Sequence, residues 1–353
     1  MGKYTAIDDP SAYFQTAIYT GDGNADRAIV NDGNSDLQPD WVWYKSRSNA
    51  TSHITYDSSR GDGPYLKPSD TGDEGTDANM FESFDSDGFS LNGDTDGNGS
   101  GRTYVAWQWK ANGGTTASNS SGSVTSTTQV NSDAGFSIVT FESASSGNFS
   151  VGHGLGVQPA MIITKNREGT SQWYTWHQHL TGGTGNTSYL LSLNRTDAQE
   201  SYSNAWGAGV TSSVFGMQSG NTATASNDYV AYAFAEKQGY SKFGKYVGNG
   251  DANGAFVYTG FKPAFVIIKR SDTSNNWLIY DHKRSGYNPK QDKLYPDDAS
   301  AEDASTTSVD LLSNGFKLRA SSASQNASGG TYIYMAFAEN PFVTSTGIMG
   351  TAR

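Results

Sequence analysis

Short stretches in which β-branched and aromatic residues alternate with small or polar ones recur along the chain. Each is bounded by Gly, Asn, Asp or Pro, and a period of two with such boundaries predicts strands. Four of these stretches return in the same order three times. The first is a Pro followed by an apolar run ending on a basic residue: Gln38-Pro39-Asp40-Trp41-Val42-Trp43-Tyr44-Lys45, then Gln158-Pro159-Ala160-Met161-Ile162-Ile163-Thr164-Lys165, then Lys262-Pro263-Ala264-Phe265-Val266-Ile267-Ile268-Lys269. An aromatic run follows: Ser52-His53-Ile54-Thr55-Tyr56-Asp57, Gln172-Trp173-Tyr174-Thr175-Trp176-His177 and Asn276-Trp277-Leu278-Ile279-Tyr280-Asp281. The third is an alternation around Gly at Gly88-Phe89-Ser90-Leu91, Val214-Phe215-Gly216-Met217 and Gly315-Phe316-Lys317-Leu318. The last closes each copy with Thr103 to Lys110, Asp228 to Ala235 and Thr331 to Ala338.

In the closing run Tyr104, Ala106 and Gln108 point one way and Val105, Trp107 and Trp109 the other, so one side is expected to face a core. Asp87-Gly88, Asn249-Gly250 and Asn314-Gly315 supply the positive φ angles of hairpins, and antiparallel pairing is expected. The predicted fold class is therefore all-β: three tandem, divergent, antiparallel β-sandwich modules of a jelly-roll or concanavalin-like kind, over 11–112, 133–237 and 238–340. Residues 113–132, rich in Ser, Thr and Gly, are expected to be a flexible or extended linker that leaves module 1 mobile. No such gap separates modules 2 and 3, which are expected to form a rigid pair. Residues 1–10 read as a docking arm in which Tyr4, Ile7 and Pro10 add to a neighbour's sheet edge, and 341–353 as a C-terminal tail.

Composition narrows the function. Aromatic residues are 12% of the 353, Gly numbers 41 and only 17% are charged, a balance suited to short twisted strands and tight turns. A net charge of -11 repels phosphate backbones and anionic lipid alike, which argues against nucleic acid as a partner. Without cysteine there is no disulfide framework and no thiolate metal site. The N-terminus lacks the apolar stretch of a signal peptide, and no run of about 18 apolar residues predicts membrane insertion. The protein is expected to be made and kept soluble in a cytoplasm.

Candidate chemistry is sparse. Asp94-Thr95-Asp96-Gly97-Asn98-Gly99 matches the first half of an EF-hand calcium loop, with Asp94, Asp96 and Asn98 as candidate ligands. The twelfth position is Val105 where a bidentate Glu is needed, so a turn explains the string and no cofactor is expected. His153, His177, His179 and His282 show no ligand spacing. Asp57 with Glu82, or Asp281 with Asp310, would have to approach within about 5–10 Å for glycosidase chemistry. Neither a nucleophile elbow nor a phosphate loop is present, and enzyme activity is not expected. Arg60-Gly61-Asp62 spells an adhesion tripeptide that a turn accounts for equally. Trp43, Trp173, Trp176, Trp206 and Trp277 are the candidates for stacking on sugar rings, against the alternative that they fill a core.

Several longer strings carry a resemblance: Ala6-Ile7-Asp8-Asp9-Pro10, Trp41-Val42-Trp43-Tyr44-Lys45-Ser46-Arg47-Ser48, Val151-Gly152-His153-Gly154-Leu155-Gly156, Phe234-Ala235-Glu236-Lys237-Gln238-Gly239-Tyr240 and Phe337-Ala338-Glu339-Asn340-Pro341-Phe342. Along essentially its whole length the chain resembles virion structural or tail-fibre proteins of marine bacteriophages, especially those of cyanobacteria. The resemblance implies a place on the virion and a lectin-like sandwich, with no catalytic residues to carry over. The expected function is a tail-fibre or spike-like appendage that recognises a host-surface glycan. Its expected partners are other virion proteins and further copies of itself, a trimer being the expected form. A capsid decoration protein is the alternative reading, and a glycan depolymerase the lesser one.

Overall fold

The computed structural model describes residues 5–349; it is all-β, and its strands pair antiparallel. In each copy the opening, closing, Pro-led and aromatic strands lie side by side in that order. They are Phe14–Thr20, Thr103–Trp109, Trp41–Ser46 and Ile54–Asp57 in copy one; Phe136–Glu142, Asp228–Phe234, Met161–Asn166 and Tyr174–His177 in copy two; Ser241–Val247, Thr331–Pro341, Phe261–Arg270 and Leu278–Asp281 in copy three. Register is kept as well, with Phe14 opposite Trp109, Phe136 opposite Phe234 and Ser241 opposite Phe337.

A smaller sheet covers one face of each large one, giving a sandwich-like pair of layers. Val42, Tyr44 and Ala106 meet Ile29, Phe89 and Leu91 in copy one. Ile162 meets Phe215 and Met217 in copy two, and Val266 meets Phe316 and Leu318 in copy three. The opposite faces are buried too, against each other. Trp41, Trp43, Trp107 and Trp109 of copy one join Met161, Ile163, Tyr232 and Phe234 of copy two and Phe265, Ile267, Met335 and Phe337 of copy three in one common core. Trp41 stacks on Tyr232 at 4.3 Å, Trp109 stands edge-on to Phe265 at 5.5 Å, and Phe234 meets Phe337 at 6.0 Å, so every pair of copies is in contact. The single core-facing side expected from the alternation is thus corrected: strands buried on both faces read as nearly continuous apolar runs. At 150–250 Å² each, a buried Trp contributes about 4–6 kcal/mol of transfer free energy before conformational entropy is counted.

The contacts between copies repeat in a cycle. Trp173 Nε1 donates to the Lys67 carbonyl and Trp277 Nε1 to the Ser192 carbonyl, both at 3.0 Å. At the third seam the matching residue is His53, whose ring addresses the main chain of Tyr295 without reaching a full hydrogen bond. The main-chain N–H groups of Glu74, Gln199 and Glu302 donate to the carbonyls of Arg167, Ser271 and Arg47 at 2.8, 2.9 and 2.8 Å. These main-chain links join copy one to two, two to three, and three to one, which closes the three copies into a ring.

Two expectations are corrected here. The stretch read as a linker pairs onto copy two: Ala117–Asn119 lies beside Ser126–Asn131, which pairs with the opening strand Phe136–Glu142. Its hydroxyls substitute for apolar anchoring, with Ser126 Oγ donating to the Gly152 carbonyl at 2.7 Å. A β-branched, hydroxyl-rich sequence suits an edge strand with one wet side. Copy one, moreover, is tied into the common core and does not hang from a tether. The N-terminal arm likewise folds onto its own chain. Ala6 N–H donates to the Gln238 carbonyl at 3.1 Å, Ile7 is in the common core and Pro10 is buried, while Tyr4 lies outside the described residues.

Candidate functional site

Buried charge is concentrated at two of the three seams. Asp57 and Arg60 pair at 2.6 Å with neither side chain exposed, and Tyr232 Oη of copy two donates to Asp57 Oδ2 at 2.7 Å. Glu74 then bridges Arg60 and Arg167, both at 2.8 Å. Burial alone would raise the Glu74 carboxyl, but the hydrogen bonds and charges of the two arginines hold it below the usual range. The seam between copies three and one repeats the pattern with Asp281 and Arg284 at 2.5 Å, Trp107 Nε1 donating to Asp281 Oδ2 at 3.1 Å, and Glu302 between Arg284 and Arg47. At the seam between two and three the corresponding residues are His177, Leu180 and Gln199, and His177 Nε2 lies 3.3 Å from the Tyr334 carbonyl. Lys45, Lys165 and Lys269, the basic ends of the Pro-led strands, donate only to carbonyls, and burial lowers each to about 8.

These networks occupy most of the candidates found in the sequence. Asp57 and Asp281 are paired with arginines, Glu82 accepts from Asn92, and Asp310 pairs with Arg319 at 3.5 Å, so each carboxylate weighed for glycosidase chemistry is engaged by another partner. The Arg60 side chain is wholly buried, which removes the adhesion tripeptide as a surface feature. Trp43, Trp173, Trp176, Trp206 and Trp277 are at most 1% exposed, and this overturns their reading as sugar platforms. Their large apolar area goes into the cores, and all five indole N–H groups find internal acceptors, four at the main-chain carbonyls of Lys67, Asn186, Tyr189 and Ser192 and that of Trp43 at His53 Nδ1. Asp94, Asp96 and Asn98 form a turn whose donors are used internally: Asp96 N–H bonds Asp94 Oδ1 at 2.7 Å, and the Asn98 amide bonds Asp22 and Asn24. No group of three metal-ligating side chains is found among the described residues.

Asn98 leads to the site that the sequence did not reveal. In copy one it clamps the loop after the opening strand, accepting from Asp22 N–H at 3.0 Å and donating to the Asn24 carbonyl at 2.8 Å. Asn326 does the same in copy three, accepting from Asn249 N–H at 3.0 Å and donating to the Asp251 carbonyl at 2.8 Å. The residue after each clamp donates its N–H at 2.8 Å to the tyrosine that begins the closing strand: Gly99 to Tyr104 and Ala327 to Tyr332. In copy two the matching donor is Thr224, to Tyr229, which puts Ala223 at the clamp position. A second tie is lost with it, because Tyr19 and Tyr246 bond the clamp loop through their hydroxyls and copy two has Phe141 there.

In copy two the loops are tied instead by Ser143 Oγ donating to the Thr224 carbonyl at 2.5 Å and by Ser219 N–H donating to the Gly147 carbonyl at 2.9 Å, and beside these ties lies an open cleft of about 650 Å³. Its walls are Ser145 to Gly147 and Ser219 to Ala225, its floor includes Gln172 and Tyr174, and Thr71 of copy one reaches its rim. Burial, then Tyr202 and Tyr229, raise the Tyr174 phenol, which stays a neutral donor at physiological pH. Among the described residues no carboxylate, imidazole, amine or guanidinium lines the cleft. Hydroxyls and amides beside a half-buried aromatic ring can exchange hydrogen bonds with a neutral polyol. The available signal was a mismatch between copies, Ala223 where the others have Asn98 and Asn326, and it is visible only once the loops are in register.

No curated protein and no solved structure matches the chain. The cyclic ring of three copies spans nearly the same residues, 9–341, as a family model described as a domain of unknown function, DUF7483, and the chain belongs to that family.

Proposed function

We propose that the three copies are β-sandwich modules of a jelly-roll or concanavalin-like kind, and that the protein is a non-enzymatic structural component of a bacteriophage particle. In this reading it is a tail-fibre or spike-like appendage that holds a neutral host-surface glycan in the cleft of copy two. The observation that carries the glycan part is the open, uncharged, hydroxyl-lined cleft at the one copy whose clamp asparagine is replaced by Ala223. Support for a place on the virion comes from the resemblance of the Trp41 to Ser48 and Phe337 to Phe342 strings to phage structural proteins. The occupation of Asp57 and Asp281 by arginines favours binding over hydrolysis. Stability outside a cell would rest on the common core in place of disulfides. Its partners would be other virion proteins, and threefold packing would not need further chains because one chain supplies it.

The test is a glycan array probed with the full chain, beside Ala223→Asn and the rim variant Thr170→Ala. Binding to neutral glycans that falls at least about tenfold in Ala223→Asn, with an unchanged melting temperature, supports the reading; tenfold corresponds to about 1.4 kcal/mol. Binding that survives in both variants places the ligand elsewhere. Absence of binding, together with immunolabelling spread over the capsid, would replace the appendage by a decoration protein.

A further inference from the structure

The three copies differ at a second place, the free edge of the large sheet. In copy two the opening strand Phe136–Glu142 is covered by Ser126–Asn131, and the chain just before that strand continues across to the small sheet. Val124 bridges to Val151, its N–H donating to the Ser150 carbonyl at 3.2 Å, and Val124 and Val130 pack against the local core. A Cβ on Gly122 would collide with the Ser150 carbonyl, so glycine permits the close approach. Residues 122–131 therefore seal the seam between the two layers of copy two.

Among the described residues no strand covers the same seam in copy one. Its opening strand Phe14–Thr20 is the last strand of its sheet. Between that strand and Arg27–Val30 runs a groove of about 340 Å³, walled by Ala17, Ile18, Tyr19, Ala28, Ile29 and Val30. Ile18 is 45% exposed and Val30 66%. The register places Ile29 at the position of Val151 and Ala28 at that of Ser150, so the main chain that receives Val124 in copy two has its counterpart in copy one. Copy three has Phe256 at this position, too large for the same approach. The charged groups at the two ends of the groove neutralise each other, Arg27 with Asp22 at 3.6 Å and Lys283 with Asp32 at 2.7 Å. An uncharged occupant is favoured, and residues 122–131 carry no charge.

We infer that the groove of copy one is an acceptor for an extended strand of another protein, uncharged and rich in Thr, Ser and Val like residues 122–131, which adds antiparallel to the open end of the first strand, Ile18 to Thr20. Main-chain hydrogen bonds along an exposed edge supply affinity in such pairing, and alternate side chains entering the seam supply selectivity. The inference is independent of the glycan reading, since the groove and the cleft belong to different copies.

The probe is a synthetic peptide with the sequence of residues 121–131, added to the full chain and followed by hydrogen exchange. The expected result is about tenfold slower exchange at the amides of Ile18 to Thr20 and Ala28 to Val30. Ile18→Glu with Val30→Glu, both at exposed positions, abolishes that protection while the melting temperature stays the same. Unchanged exchange at the solubility limit of the peptide overturns the inference. So does protection confined to Phe136–Glu142, which would mean that the peptide merely displaces the chain's own strand. Protection of Ile18 to Thr20 that grows with protein concentration in the absence of peptide also overturns it, and assigns the edge to a second copy of this chain.

Discussion

Asp281 and Arg284 are three residues apart, wholly buried, and held by a neighbouring copy through Trp107 and by Glu302. Burial raises the Asp281 carboxyl, and the charge and hydrogen bonds of Arg284 outweigh it, leaving the group below the usual carboxylate range. Removing the cation alone leaves an uncompensated charge in the core. Arg284→Met is therefore expected to cost about 3–5 kcal/mol of unfolding free energy in urea titration. Arg195→Ala, which breaks an exposed pair with Asp197, is expected to change stability by less than about 0.5 kcal/mol. Equal effects of the two substitutions would contradict the buried network. In the sequence Asp281 is weighed as a catalytic carboxylate, and nothing in the local pattern marks the arginine three residues on as its buried partner.

Among the elements, residues 117–131 show how composition misleads. Few apolar side chains and many Ser and Thr describe a linker, and they equally describe an edge strand whose buried side is anchored by hydroxyl-to-carbonyl bonds. The distinction depends on Gly152 and Ser150, distant in sequence, which accept from Ser126 and Val124. Amides of Ser126–Asn131 are accordingly expected to exchange with solvent at rates close to those of the closing strand Asp228–Phe234. Exchange at unstructured-chain rates would restore the linker. Where local signals and tertiary demand agree, the alternation alone places an element: the Pro-led and closing strands lie where the period-two runs put them.

For the whole molecule, the common core makes the three copies one cooperative unit. A single calorimetric transition is expected, with calorimetric and van't Hoff enthalpies equal, and a separate early melting of copy one would refute it. Acid should weaken this unit through histidine. Burial lowers His153 to about 4 and His177 to about 3, and also lowers His53, His179 and His282. In the unfolded chain these rings take a proton near pH 6.5, whereas in the folded protein they resist it. Below pH 6.5 the unfolded state thus binds more protons, and stability present above that pH is lost progressively as pH falls toward 3. The melting temperature is expected to fall from pH 7 to pH 5, and His177→Gln to flatten that limb. A melting temperature that rises on acidification would show that these rings are not buried as neutral groups.

The amino-acid sequence by itself determined the all-β class and the places of the Pro-led and closing strands, because side-chain alternation and turn residues are local properties. Only the tertiary structure decided that Trp41, Tyr232 and Phe265 share one core, that residues 117–131 complete a sheet, and that Ala223 leaves a cleft open. Each of these depends on which surfaces meet across a hundred residues or more, and a periodic pattern gives the faces of a strand without naming what covers them.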